Sequence, residues 1–334
     1  MKIGFFEIQG GEAEFFKSKI SGHELVFNSS IISQDSLPET KDFDAISVFI
    51  GSPIGKEVLA ALPNLKFIAT RTTGYDHIDL DALREKNILL SFVPSYGDHT
   101  VAEFAFGLLL CLTRKIFMAY DRIREKGSFD LAGLRGTDLV GKTLGIVGVG
   151  RIGSQMARLA AAFGMNILAY DTNAKPELVE KYGVKYVDFD YLLRDSDVIS
   201  LHLPGGPKTY HIINKDNIGL IKRGCILINT ARGSLVETDA LIKALESGIL
   251  AGAGLDVLEE ETPMKNEKEF ALFSRPEDHN LKTIIQNHVL IDMDNVIITP
   301  HNAFNAKEAV ERILETTAQN INAFLVGKPV NLAK

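Results

Sequence analysis

Between Thr143 and Asp171 the chain reads TLGIVGVGRIGSQMARLAAAFGMNILAYD, a stretch that leaves little choice of fold. Leu144, Ile146 and Val147 form a short apolar run, which predicts a buried parallel strand, and the run breaks into Gly148-Val149-Gly150-Arg151-Ile152-Gly153. Gly148 lets the chain turn sharply off the strand, Gly150 leaves no Cβ between backbone and a pyrophosphate, and Gly153 allows close packing of the next helix. That helix is predicted from Ser154 to Phe163, with Met156, Ala157, Leu159 and Ala160 at helical spacing and a stop at Gly164. Its N-terminus is aimed at an anion. A second strand, Asn166 to Tyr170, ends in Asp171, eighteen positions after Gly153, where a carboxylate can accept both ribose hydroxyls of an adenosine. The same charge repels a 2′-phosphate, so the pattern favours NAD over NADP. Glycines alone also mark ordinary turns. Here strand, glycines, helix, strand and acid arrive in order, so the stretch reads as a dinucleotide site.

The rest of the chain repeats the same alternation. From Met1 to about Pro94, KIGFFEI, AISVFI at 45–50, LKFIAT at 65–70 and ILLSFV at 88–93 read as strands separated by helix-length segments, hence a parallel sheet in a small domain of its own. After the dinucleotide unit come KYVDF, VISLHLP at 198–204, CILINTA at 225–231, AGAGLDV at 251–257 and NVIITP at 295–300, which bring the second sheet to seven strands. Residues 101 to about 126 predict one long helix, apolar nearly all round its first half, that bridges the domains and helps form a homodimer. From Pro263 to Asp294 charged residues surround Phe270, Leu272, Phe273 and Ile284, and the region reads as an insertion with helical pieces. The last stretch, from Ala306, places Val310, Ile313, Leu314, Ile321 and Phe324 on one helical face, which is expected to return to the N-terminal domain and make it discontinuous.

Bulk properties narrow the function. At 334 residues the chain has room for two domains, and no apolar run approaches a bilayer span. The opening MKIGFFEIQGGEAEFF reads as a first strand, not a signal peptide. A net charge of −7 offers no general attraction to phosphate backbones, so nucleic acid is not an expected partner. Two isolated cysteines, Cys111 in an apolar helix and Cys225 opening an apolar strand, suit a reducing cytosol. No C-x-x-C or H-E-x-x-H occurs, and metal catalysis has no support.

Ligands of open α/β sheets sit at the carboxyl ends of strands. In the first half, Arg71-Thr72-Thr73-Gly74-Tyr75-Asp76 and Val93-Pro94-Ser95-Tyr96-Gly97 occupy such ends, although turn chemistry alone accounts for either tyrosine. In the second half, Thr230-Ala231-Arg232-Gly233, Asp256 through Glu261, and Thr299-Pro300-His301 share that address. Hydride transfer to a 2-oxo acid needs a fixed cation for the carboxylate and a proton donor for the oxygen that becomes a hydroxyl. Arg232 fits the first role through a two-bond guanidinium grip, and His301 fits the second. Glu261 would fix the imidazole tautomer and stabilise imidazolium. Taken singly, Arg232 reads as a surface cation, Glu259-Glu260-Glu261 as a solvated face, and any one of the eight histidines as a strand residue like His202.

RTTGYDHIDL, VPSYGDHTVAEF, the glycine stretch, SLHLP, INTARGSLVETDAL, AGAGLDVLEEE and ITPHNAF, in that order, make the chain resemble the NAD-dependent D-2-hydroxyacid dehydrogenases over nearly its whole length, and among them the D-lactate dehydrogenases. The resemblance implies an α/β fold of two doubly wound parallel-sheet domains with a cleft between them. One is a flavodoxin-like substrate domain of residues 1–100 and 305–334, the other a Rossmann cofactor domain of residues 101–304. It implies catalytic roles for Arg232, Glu261 and His301, and cofactor contacts from Gly148, Gly150, Arg151, Ile152, Gly153, Asp171, Leu203, Pro204, Thr209, Thr230, Ala231, Arg232 and Asp256, the last beside the nicotinamide amide. Backbone amides of Thr73 and Gly74 would meet the substrate carboxylate, and Tyr96 and Phe304 would line the pocket with Arg232 and His301. Formate dehydrogenases of the family carry Gln where this chain has Glu261, and its phosphoglycerate dehydrogenases often carry a further regulatory domain. The implied protein is a cytoplasmic homodimer that reduces pyruvate to D-lactate with NADH. A glyoxylate, hydroxypyruvate or branched 2-oxo acid reductase is the alternative, and an NADH-sensing corepressor-like protein a third.

Overall fold

Within both sheets every strand pairing is parallel, as continuous runs of Val, Ile, Leu and Ala between helices require. The computed structural model describes residues 1–261 and 280–333. Its first part runs β1 (Lys2–Phe5), α1 (Glu12–Lys19), β2 (Glu24–Phe27), β3 (Ala45–Val48), α2 (Lys56–Ala61), β4 (Phe67–Thr70), α3 (Leu80–Glu85) and β5 (Leu89–Ser91), with sheet order β2-β1-β3-β4-β5. β3 and β4 are buried at every position, which is why they read as largely apolar runs, with Ser47 and Thr70 their polar members. β2 sits at the sheet edge with no fully buried residue, and its Glu-Leu-Val-Phe carries too weak a pattern to be read from sequence.

The second part runs α4 (Asp98–Thr113), α5 (Ile116–Lys126), β6 (Thr143–Val147), α6 (Arg151–Ala162), β7 (Asn166–Tyr170), α7 (Pro176–Tyr182), β8 (Lys185–Tyr186), α8 (Phe189–Asp195), β9 (Val198–Leu201), β10 (Cys225–Asn229), α9 (Thr238–Glu246), β11 (Leu250–Leu255), α10 (Leu281–Ile291) and β12 (Val296–Ile298). Its order β12-β11-β10-β9-β6-β7-β8 reverses direction between β6 and β9, the topological switch point where such sheets bind ligands. The single helix expected over residues 101–126 is instead two. Lys115 takes a left-handed φ of 53°, and the carbonyl of Thr113 accepts the N–H of distant Thr137 at 2.8 Å, so the ladder cannot continue. α6 begins at Arg151, three residues earlier than the spacing indicated, because the chain is already helical as it leaves Gly150.

Chain then returns to the first sheet. α11 (Lys307–Leu325) buries Leu314, Ala318 and Ile321 against Ile3, Phe5, Phe16 and Phe67, and the Phe324 ring stacks on Phe67 at 4.3 Å. Two compact units result, Met1–Tyr96 with Asn305–Lys334, and Gly97–Phe304. Of the region read as an insertion, residues 262–279 lie outside those described, while Leu281–Ile291 is α10, capped by Asn280 Oδ1 accepting the Thr283 N–H at 3.3 Å. Cys111 is half-buried rather than fully enclosed, whereas Cys225 is buried and its thiol is pushed up to about 12 by desolvation.

Candidate active site

The glycine turn has the sterics that a dinucleotide cradle needs. Gly148 has a φ of +94°, and a Cβ there would lie 2.9 Å from Leu203 Cδ2 and 3.0 Å from the His202 carbonyl. A Cβ on Gly153 would sit 2.1 Å from the Gly148 oxygen, so α6 can lie this close to β6 only without one. A Cβ on Gly150, by contrast, would meet nothing within 4 Å: the protein itself does not demand glycine there, and the space is what a pyrophosphate would use. At the end of β7, Asp171 accepts the Val149 N–H on Oδ2 at 2.6 Å and the Asn173 N–H on Oδ1 at 2.9 Å, which fixes its carboxylate beside the turn. Lys175 reaches back to donate to the Gly150 carbonyl at 3.1 Å and to Ser154 Oγ at 3.0 Å. Arg151, at the first turn of α6, is exposed beside Asp98 at 3.5 Å, and Ile152 is half-buried.

Further along the same edge, Thr209 donates to the Pro204 carbonyl at 2.7 Å and closes the loop that carries Leu203. β10 ends in Asn229, buried, whose Oδ1 accepts the Ala231 N–H at 3.1 Å and whose Nδ2 donates to the Arg232 carbonyl at 2.8 Å. That turn is why Arg232 leaves the sheet where it does. Beside it Thr230 Oγ1 is buried and has no hydrogen-bond partner among the described residues, a polar atom that a bound ligand would satisfy. Gly150 and Thr230 together show that these residues fit a dinucleotide.

Asp256 organises the loops that follow β11 and β12. It is 1% exposed, yet its carboxylate accepts Thr299 Oγ1 at 2.5 Å, the Asn302 N–H at 2.8 Å and the Ala303 N–H at 2.8 Å. Burial raises its pKa above the ordinary carboxylate range, against the pull of those hydrogen bonds. Its carbonyl also takes the His301 N–H at 2.9 Å, and His301 itself has a left-handed φ of 53°. Such backbone costs on the order of 1–3 kcal/mol in a residue with a side chain, and the Asp256 bonds hold it. The result is an imidazole whose Nδ1 lies 2.8 Å from Glu261 Oε1, with Arg232, Glu261 and His301 all lining one cavity of about 470 Å³.

The remaining candidates lie in the other unit, except Phe304, which is half-buried at the end of the second. Thr73 and the adjoining Gly74 follow β4, with Thr73 Oγ1 donating to the Val93 carbonyl at 2.7 Å, and half-buried Tyr96 accepts Arg312 Nε on its carbonyl. Read from sequence as part of a solvated run, Glu259 is in fact largely enclosed, bonded to His211, and lines the same cavity as Arg232. Neither His211 nor Asn287, which also holds this loop, carried a sequence signal, because each becomes informative only through a distant partner.

Sheet order, glycine turn and the acid after β7 together define a dinucleotide-binding α/β protein. A family model for the NAD binding domain of D-isomer specific 2-hydroxyacid dehydrogenases matches residues 106–303. The glyoxylate reductase of Thermococcus litoralis is 41% identical over 89% of this chain and 85% of its own length, and the D-lactate dehydrogenase of Escherichia coli 36% identical over 96% of each. The crystal structure of Aquifex aeolicus D-lactate dehydrogenase complexed with NAD and lactic acid superposes with a TM-score of 0.86 at 36% identity, covering 98% of this chain and 96% of that one. The chain belongs to the D-isomer specific 2-hydroxyacid dehydrogenases, and its cofactor is NAD.

Proposed function

We propose that this dehydrogenase reduces pyruvate, or a 2-oxo acid close to it, to the D-2-hydroxy acid, with Arg232, Glu261 and His301 as its catalytic residues. The observation that carries this reading is the convergence of the three on one cavity with His301 Nδ1 at 2.8 Å from Glu261. Gly148, Gly150, Arg151, Ile152, Gly153, Asp171, Leu203, Pro204, Thr209, Thr230 and Ala231 would hold the cofactor, which supplies a hydride when bound. Arg232 grips the substrate carboxylate through paired N–H donors and draws electron density from the adjacent carbonyl. His301 gives its Nε2 proton to the carbonyl oxygen, because Nδ1–H is committed to Glu261. Glu261 stabilises the imidazolium before transfer and fixes the tautomer after it. Asp256 keeps the His301 turn in place, and the resemblance also sets it beside the nicotinamide amide. Roles for Thr73, Gly74, Tyr96 and Phe304 in holding the substrate rest on that resemblance.

Pyruvate is favoured over larger acids by the near end-to-end likeness to D-lactate dehydrogenases. Glyoxylate is the second reading, supported by the identity to the Thermococcus enzyme, and one methyl changes selectivity only about 10–200-fold. Mixing the protein with NADH and a panel of pyruvate, glyoxylate, hydroxypyruvate and branched 2-oxo acids, and following NADH absorbance, tests both. The highest kcat/KM should fall on pyruvate. Turnover of none would overturn the enzyme reading.

A homodimer in the cytoplasm completes the proposal. α5 buries no side chain fully, and Ile116, Phe117, Tyr120 and Ile123 expose about half of their surface along one stripe, a face that a second copy would cover. Sedimentation as a monomer at micromolar concentration would remove it. Among the described residues no helix is long and apolar enough to cross a membrane.

A further inference from the structure

Two residues before Glu261, the main chain is held from four directions. The Glu259 side chain is 14% exposed, and its Oε1 accepts His211 Nε2–H at 2.6 Å. Its Oε2 accepts both the N–H of Thr238 at 3.1 Å and the Thr238 hydroxyl at 2.6 Å, at the first turn of α9. Its carbonyl accepts Nδ2 of Asn287, a wholly buried residue of α10, at 2.7 Å. Gly233, next to Arg232, lies so close to the Leu258–Glu259 peptide that a Cβ would stand 2.1 Å from the Leu258 carbonyl carbon. His211 also donates its backbone N–H to Ser234 at 2.8 Å, and the Tyr210 ring stacks on it at 3.8 Å.

One carboxylate therefore ties together the loops that follow β9, β10 and β11. Between Glu259 and Glu261 the chain takes a left-handed step at Glu260, φ 51°, so the two acids are presented to different partners, His211 and His301. A mostly enclosed carboxylate with three donors makes short, charge-assisted bonds that are stronger than neutral ones.

We propose that Glu259 is a positioning residue of the reaction: with His211, Thr238 and Asn287 it clamps the 258–261 turn so that Glu261 meets His301 while the Arg232 turn keeps its register. The proposal rests on the reading of Glu261 and His301 as the proton-donating pair. Among the described residues of this unit, Arg232, Glu260 and Glu261 line the cavity with His301, and Asp256 interacts with it electrostatically.

Glu259→Ala, Glu259→Gln, His211→Ala and Glu261→Gln, assayed with NADH and the best 2-oxo acid, test it. Misplacing a reacting group by an ångström can cost about a hundredfold, so Glu259→Ala should lower kcat roughly 10–100-fold while NADH affinity, read by fluorescence, changes less than about threefold. The alkaline limb of the reductive pH profile should move to lower pH, because Glu261 no longer stabilises the imidazolium. Glu259→Gln, which keeps an acceptor, should recover most of kcat, and Glu259→Ala with His211→Ala should cost no more than the worse single change. If Glu259→Ala does not fold, His211→Ala carries the same expectations. A folded Glu259→Ala or His211→Ala with unaltered kcat and pH profile overturns the proposal. A loss of kcat with an unmoved alkaline limb and no rescue by Gln also overturns it, as general loosening. Where Glu261→Gln is impaired and Glu259→Ala is not, only the clamp fails; where Glu261→Gln is itself unimpaired, the acid–base reading falls as well.

Discussion

Both sheets gather charge at their carboxyl edges, but they use it differently. In the first unit Glu7 accepts the N–H groups of Phe49 and Gly51 and the Ser52 hydroxyl, and Arg71, 2% exposed, donates to the carbonyls of Phe6 and Glu7 and to Ser47 Oγ. Burial lowers the Arg71 pKa, yet a guanidinium stays charged, so this edge is a fixed scaffold. In the second unit Asp256 gathers loop donors in the same way, but what it holds in place is His301, an imidazole that lines a cavity and lies 2.8 Å from Glu261. Two parallel sheets thus use charge for rigidity in one place and keep it at a cavity in the other.

Exchange of the two effects would break that contrast. The largest expected effect is on His301→Ala, which should lower kcat about 10²–10⁴-fold with little loss of stability, as read by steady-state kinetics beside urea unfolding. Arg71→Met should do the reverse. Removing three donors from buried acceptors should cost about 3 kcal/mol or more in urea unfolding while each folded molecule keeps its kcat, and a catalytic loss with unchanged stability would refute the scaffold role.

The glycine turn sharpens the contrast within one loop. Gly153→Ala puts a Cβ against backbone and should destabilise the fold by at least about 1–3 kcal/mol; Gly150→Ala should leave the melting curve within about a degree or two and weaken NADH binding, measured by fluorescence quenching. His202 offers a test by pH. Burial holds it down to about 4 from an ordinary 6.5, so the unfolded chain takes up the proton first as pH falls. Its contribution is complete above about pH 6.5 and is lost towards pH 4. Because the residue keeps some solvent contact, the loss should be nearer 2 kcal/mol than the full shift implies. A flat stability profile in His202→Gln over that window, against a falling one in the parent, is the expected result. The smallest effect falls on Asp171→Ala, where NADH affinity should drop about tenfold and discrimination against NADPH relax, as competing titrations would show.

What the sequence made legible was local. Buried strands announced themselves as apolar runs, and the glycines and Asp171 are within thirty residues of one another, so their order alone pointed to a dinucleotide. The amphipathic stripe of Val310, Ile313, Leu314, Ile321 and Phe324 likewise implied a partner sheet before any was seen. What escaped depends on distant contacts. The break at Lys115 needs Thr137 to take the Thr113 carbonyl, and a run of three acids looks solvated until His211, forty-eight residues away, is found against the first of them. Likeness alone places Asp256 at the cofactor, whereas its hydrogen bonds to Thr299, Asn302 and Ala303 form only when β11 and β12 lie side by side.

The detour of the chain through Gly97–Phe304 before α11 has a consequence for biogenesis. On the ribosome, Ile3, Phe5, Phe16 and Phe67 emerge early and wait uncovered until Leu314, Ala318 and Ile321 follow, while the intervening seven-stranded unit holds its own core in uninterrupted sequence and can close first. The nascent Met1–Tyr96 segment is therefore the part that holdase chaperones have most reason to shield.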